Sequence, residues 1–173
     1  MKLLEPIRKA LLLATLATAC HGATITVSSP APATVGQPLT VDVGIELDSA
    51  ESLTAFQMDV LFPSFLQADS VVELGYFAAN GVAFSPGFID NTLLRISFIG
   101  DALSGSDVMT ASGPLFQIAF TGLAPGLDTV TIDDLSVVLL DSQFADLPFT
   151  VSAGIVEVTA GSTADVPEPS TAG

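Results

Sequence analysis

An all-β sandwich is the fold this sequence predicts, on three observations. Apolar and polar residues alternate at period two in one run after another. Gly, Pro and Asn clusters separate those runs at short intervals. Helical periodicity is nearly absent. Residues 23–158 are one domain's length, enough to bury a real core.

The runs come in order. Leu39, Val41, Val43, Ile45 and Leu47 alternate with Thr40, Asp42, Gly44 and Glu46, which puts one row in a core and the other in water. Phe56, Met58, Val60 and Phe62 repeat the pattern, and so do Leu94, Ile96 and Phe98 against Arg95 and Ser97. Phe116, Ile118 and Phe120 follow, then Val130 and Ile132, then Leu135, Val137 and Leu139. Phe149, Val151, Val156 and Val158 close the domain, with Gly154 read as a bulge or bend. Turn signals include Asn80-Gly81, Ser85-Pro86-Gly87, Ser112-Gly113-Pro114 and Ala124-Pro125-Gly126. Residues 101–112 have room for a turn or a short helix. The spacing is that of a single antiparallel β-sandwich.

The two ends read as addresses. Lys2, Arg8 and Lys9 precede a short apolar run, residues 10–19, and small residues follow around Ala17-Thr18-Ala19. That is the layout of a secretory signal peptide, taken as 1–22, and the apolar run is too short to span a bilayer. Cys20, the only cysteine, allows no intrachain disulfide. It follows a faint lipobox with Ala17 where a larger aliphatic residue is usual, so it is expected to leave with the signal peptide. At the other end, residues 159–165 are small and polar and read as a flexible linker. Then come Val166, Pro167, Glu168, Pro169, Ser170 and Thr171. This run resembles the start of the PEP-CTERM sorting signal of Gram-negative, exopolysaccharide-producing bacteria. The resemblance implies export to the cell surface or exopolysaccharide matrix, and an exosortase-type enzyme acting on the full-length precursor. Such signals continue into a membrane helix and a basic tail; this sequence carries only the beginning, so no membrane span is expected in it.

Charge and composition remove whole classes of function. Removing residues 1–22 takes three of the four bases and one of the nineteen acids. Eighteen acids then stand against Arg95 alone, a charge of about −17. Such a surface repels nucleic acid and anionic lipid, which demand Lys and Arg. With no His or Cys in the mature domain, Ser-His-Asp, Cys-His and His-metal sites are excluded. A glycosidase needs only two carboxylates, but usually sets them in an aromatic cleft, and this chain has no Trp and one Tyr. The expectation is therefore a non-enzyme, with a secreted glycan hydrolase as a remote alternative.

Two kinds of ligand remain. Asp128, Asp133 and Asp134, with Asp141 and Asp146 nearby, are calcium candidates, although no EF-hand-like loop is present and a turn-forming role competes. No cofactor is otherwise expected. Sugar rings stack on exposed aromatics, and Tyr76, Phe77, Phe84 and Phe88 lie near Gly, Pro and Asn loops where they have a route to solvent. Phe56, Phe98, Phe116 and Phe120 fall on apolar rows and are assigned to the core. Arg95 falls on an outward row, where it offsets neighbouring acids.

Three segments resemble the cohesin family. Val35-Gly36-Gln37-Pro38-Leu39-Thr40-Val41-Asp42-Val43 looks like the opening of a cohesin domain. Leu53-Thr54-Ala55-Phe56-Gln57-Met58-Asp59-Val60-Leu61-Phe62-Pro63 is similar to that family's next signature strand, which runs into a Pro turn. Gly113-Pro114-Leu115-Phe116-Gln117-Ile118-Ala119-Phe120 is similar to a strand late in the fold. Ser64 stands where cohesins usually carry Asp. The resemblance implies a jelly-roll sandwich of about nine strands, related to the carbohydrate-binding-module superfamily. It also implies a non-catalytic scaffold that binds a dockerin-like protein through one sheet face. A carbohydrate-binding module gripping polysaccharide is the alternative reading.

Overall fold

The computed structural model describes residues 22–28 and 30–161. The signal peptide up to residue 21, Cys20 and the sorting motif at 166–171 lie outside the described residues. The strands are β1 (Ala23–Val27), β2 (Ala33–Thr34), β3 (Pro38–Glu46), β4 (Ala55–Leu61), β5 (Leu66–Glu73), β6 (Ser85–Asp90) and β7 (Arg95–Ala102). They continue with β8 (Gly113–Gly122), β9 (Gly126–Ile132), β10 (Val138–Leu140), β11 (Phe149–Ser152) and β12 (Gly154–Thr159). A six-residue helix, α1 (Gly75–Asn80), follows β5, and a 3₁₀ turn (Asp134–Ser136) precedes β10.

The strands form two sheets packed face to face, as the alternating pattern requires. One has the order β11-β1-β3-β8-β5, the other β2-β12-β9-β4-β7-β6, with β10 also pairing β4. Pairing is antiparallel except at β1–β11 and β2–β12, which are parallel. The inward rows of β3, β4, β8 and β9 are those read from the sequence, whereas in β7 Ile99 is buried in place of Phe98. Val41, Val43 and Ile45 of β3 meet Met58 and Val60 of β4, Ile96 and Ile99 of β7, and Val130 of β9, all buried. Burying each such side chain is worth roughly 1.5–3 kcal/mol. Aromatic contacts tie the layers together: Phe56 lies 5.0 Å from Phe77 and 6.1 Å from Phe116, and Phe62 lies 5.4 Å from Phe120.

The chain departs from the expected pattern in three places. The closing run is two strands, not one: β11 joins the first sheet and β12 the second, with the crossing at Ala153. A Cβ on Gly154 would stand 2.2 Å from the Ser28 carbonyl oxygen, so the crossing passes where only glycine fits. Residues 101–112 hold the turn, one of the two expectations, at 105–106, and the helix falls instead at 75–80, where Phe77 anchors that single turn in the core. Leu135 is not on a strand; it sits in the 3₁₀ turn and is 98% exposed.

Candidate recognition face

The two sheets turn different faces to solvent. On the first, the outward residues satisfy one another. Gln117 Nε2 donates to Asp42 Oδ1 at 2.6 Å, Thr121 Oγ1 donates to Asp69 Oδ2 at 2.7 Å, and the Thr24 and Thr150 hydroxyls lie 3.2 Å apart. On the second sheet, the outer face of β4, β7 and β6 carries two phenyl rings in water. Phe88 is 68% exposed and Phe98 63%.

Asp59 explains why Phe98 is there. Strand parity would turn Phe98 inward with Ile96. Instead β7 bulges: Val60 pairs with Ile96 and Met58 with Ile99, leaving Ser97 and Phe98 opposite Asp59 alone. Phe98 takes a φ of 62°, rare for an aromatic residue, and its N–H donates to Asp59 Oδ1 at 2.8 Å. On the other side of β4, the 3₁₀ turn loops out between β9 and β10 at the same level. There Asp59 N–H donates to Ser136 Oγ at 2.8 Å and the Asp59 carbonyl accepts from Asp133 N–H at 3.0 Å. Both neighbours of β4 therefore deviate around one residue, and its polar atoms close the gaps.

The remaining carboxylate oxygen of Asp59 takes Arg95. The guanidinium donates through Nε at 2.8 Å and also through Nη2, which lies 3.0 Å from Asp133 Oδ2 as well. The hydrogen bond to Asp59 raises the Arg95 pKa above its ordinary value, so the group is permanently charged. The outward placement of Arg95 among acids is the one expected, and the acids are now identified.

Beside this cluster lies an open trough of about 320 Å³. Gln57 of β4, Gly100 of β7 and Ser85 of β6 lie across it in one transverse row. Phe98 is one wall, Ala83 and Ala102 are others, and Phe56 and Asp101 complete its lining. An apolar wall, a flat small-residue floor and a few amide and hydroxyl groups suit a docked side chain better than a reaction.

The aromatic candidates separate. Tyr76 is 39% exposed on α1, Phe88 is exposed on β6, and Phe84 is half-buried against the core. Phe77 is completely buried as the helix anchor and is withdrawn as a surface residue. Phe98, assigned to the core by parity, replaces it. The acidic candidates also part company. Asp128 accepts from Thr129 N–H, Asp133 is held by Arg95 and caps the 3₁₀ turn through Leu135 N–H, and Asp134 is exposed. Asp141 accepts from Gln143 and Ala145 N–H groups. Among the described residues no three His, Cys, Asp or Glu gather in one place to hold a metal ion. Sequence reasoning missed the inward acids Glu73 and Asp101. Counting in twos from Val71 and from Ile99 finds both.

No family model and no curated protein sequence matches this chain. Solved structures do. The non-cellulosomal cohesin of the archaeon Archaeoglobus fulgidus matches with a TM-score of 0.64 and 19% identity, covering 80% of this chain and 91% of that one. The fold is that of a cohesin domain. A type I cohesin–dockerin complex from Clostridium thermocellum matches at 0.66 and 12% identity, covering 81% and 95%. The sixth cohesin of scaffoldin B from Acetivibrio cellulolyticus, solved with a Cel5 dockerin, matches at 0.63 and 13%, covering 80% and 99%. Nearly the whole of each neighbour is thus matched, and at these identities the likeness is one of fold. Among the described residues, no helix is long and apolar enough to cross a membrane.

Proposed function

We propose that this protein is a non-catalytic binding domain, exported and held at the cell surface or in the exopolysaccharide matrix, that docks a protein partner on the outer face of β4, β7 and β6. The observation that carries the reading is Phe98, held out to solvent in a left-handed backbone conformation by a buried aspartate. A ring exposed at that conformational cost, beside a second exposed ring and an open trough, is a surface built for contact. Several structural neighbours were solved as complexes with dockerins, which supports a dockerin-like partner here. The signal-peptide and PEP-CTERM resemblances support export, with an exosortase-type enzyme acting on the precursor.

The face makes a sharp test. A photo-reactive residue at position 98 captures the partner, whereas one at position 117, on the first sheet, does not. Phe98→Ser and Phe88→Ser each weaken binding to that partner by about tenfold or more, the loss typical of a hot-spot aromatic. Capture at 117 and not at 98 defeats the assignment. Polysaccharide binding is the second reading, favoured by the same exposed rings and by Tyr76, since sugars stack on such surfaces. Retention of the purified protein on immobilised polysaccharide, lost in Phe88→Ser or Tyr76→Ala and with no protein captured at 98, would establish that reading instead.

A further inference from the structure

Two acids meet between the sheets behind the trough. Glu73 ends β5 opposite Phe116 of β8, and Asp101 lies on β7 opposite Phe56 of β4. Cross-strand partners share a face, so both carboxyls point inward with those buried rings. Asp101 is only 6% exposed. Its Oδ1 is spent on the N–H groups of Ala83, at 2.9 Å, and Ala102, at 2.7 Å. Its Oδ2 and Glu73 Oε1 are buried and have no protein donor, and Asp101 is the group that acts on the Glu73 carboxyl by hydrogen bond and charge. Two carboxylates side by side in an apolar setting do not both ionise, and one proton between them satisfies both orphaned oxygens.

Asp101 has no room to retreat, because Gly81 covers it: a Cβ there would fall on Oδ2. Glu73 is the movable member, at a strand end, and α1 begins two residues later. The neighbouring elements offer no counter-charge. β8 has no titratable side chain, and α1 has only Tyr76. Asp59 of β4 and Arg95 of β7 are committed to each other on the outer face. Asp90 of β6 accepts from Thr92 and Leu93 N–H groups, and Asp107, in the loop after β7, is exposed.

We propose that Glu73 and Asp101 hold one proton between them, and that this proton fastens α1 and the inner wall of the trough, so that recognition weakens as the pair ionises. Glu73 Oε–H donates to Asp101 Oδ2, while Asp101 Oδ1 fixes Ala83, which lines the trough. Loss of the proton sets two negative charges against each other between β5 and β7. Glu73 moves out and takes α1 with it. The coupling to docking rests on the recognition face proposed above; the shared proton does not. Burial first, then the hydrogen bond to Asp101 and its charge, push the Glu73 pKa up from 4.5 to about 7, so the change falls at neutral pH.

The experiment compares the purified wild type with Glu73→Gln, a near-isosteric mimic of the protonated acid, and with Asp101→Asn. A folded-state pKa raised above the unfolded value gives stability that is present in acid and is lost between about pH 4.5 and 7. The wild-type melting temperature therefore falls relative to Glu73→Gln across that window, by up to roughly 10 °C, and runs parallel above it. The comparison cancels the common effect of the other acids. An infrared carbonyl band of a protonated carboxylic acid is present in the wild type at mildly acidic pH and absent from Glu73→Gln. If the melting curves stay parallel throughout and the band is missing, there is no shared proton. If millimolar calcium or magnesium raises the wild-type melting temperature at alkaline pH and not that of Glu73→Gln, the pair is a cation site and the proposal is wrong.

The coupling has its own readout. Partner affinity at the Phe98 face weakens about fivefold from pH 7 to pH 8 if only the protonated form binds, and Glu73→Gln removes that dependence. A pH-independent affinity alongside the expected melting behaviour overturns the coupling alone. Absence of any partner at position 98 would defeat the recognition reading while the infrared band and melting curves still decide the proton.

Discussion

Asp59 ties together more of the second sheet than any other single residue described above. Its carboxylate serves a displaced backbone N–H and an arginine, and its own backbone atoms serve the 3₁₀ turn. Asp59→Ala removes all the side-chain bonds, strands the Phe98 N–H and leaves Arg95 to Asp133. The expected cost is about 2–3 kcal/mol, toward the upper end for leaving a backbone donor unsatisfied, measured by urea unfolding. Asp59→Asn keeps an acceptor for Phe98 and costs less, about 1–2 kcal/mol. Phe98→Gly separates stability from recognition. Its φ of 62° suits glycine, and the ring lies mostly in water. Stability is unchanged or rises by up to about 1 kcal/mol, while docking is lost. A fall in stability comparable to that of Asp59→Ala would show instead that the ring is structural. Arg95 was legible in the sequence because outward parity and a surplus of acids suffice to place it. Phe98 was not, because one bulge residue inverts the parity on which the core assignment rests.

At the scale of elements, long alternating runs translated directly into β3, β4 and β8, whose inward rows are the buried ones. What period two cannot show is a change of partner. Alternation holds within β11 and within β12 but shifts by one residue between Val151 and Val156, as the chain passes from one sheet to the other, and Gly154 marks the place. Gly154→Ala tests that reading. Its Cβ would meet Ser28 O at 2.2 Å and Val27 Cγ1 at 2.9 Å, and neither a backbone oxygen nor a core valine has room to yield. A loss of about 2–3 kcal/mol is expected, with faster hydrogen exchange in β1 and β11. A neutral result would mean that the crossing is loosely packed. The helix escaped detection for a related reason. Six residues are too few to show a 3.6-residue period, α1 has no side-chain cap at Leu74, and Phe77 is its one buried residue.

Over the whole molecule, charge sets the terms on which any partner arrives. The described residues carry sixteen Asp or Glu and a single Arg. One ion network of Asp59, Arg95 and Asp133 is thus set against the mutual repulsion of the remaining acids. Salt weakens both, but the repulsion has many more members and most of them face water, so screening it is the larger effect. The melting temperature at neutral pH should rise as sodium chloride is raised from a few millimolar, and level off near 0.1 M, where the screening length is about 10 Å. A steady fall would mean that the Arg95 network outweighs the surface repulsion. The same field acts on docking. A basic partner is drawn in by it, so its association rate falls as salt rises; its dissociation rate, set by Phe88, Phe98 and the trough, stays nearly constant. An acidic partner shows the opposite salt dependence of the association rate, while the phenyl contacts govern its release in the same way. Stopped-flow association at several salt concentrations, repeated with Phe98→Gly, separates the two contributions. Salt should act on arrival and the ring on departure, and a Phe98→Gly variant that changes only the association rate would contradict the docked position assigned to that ring.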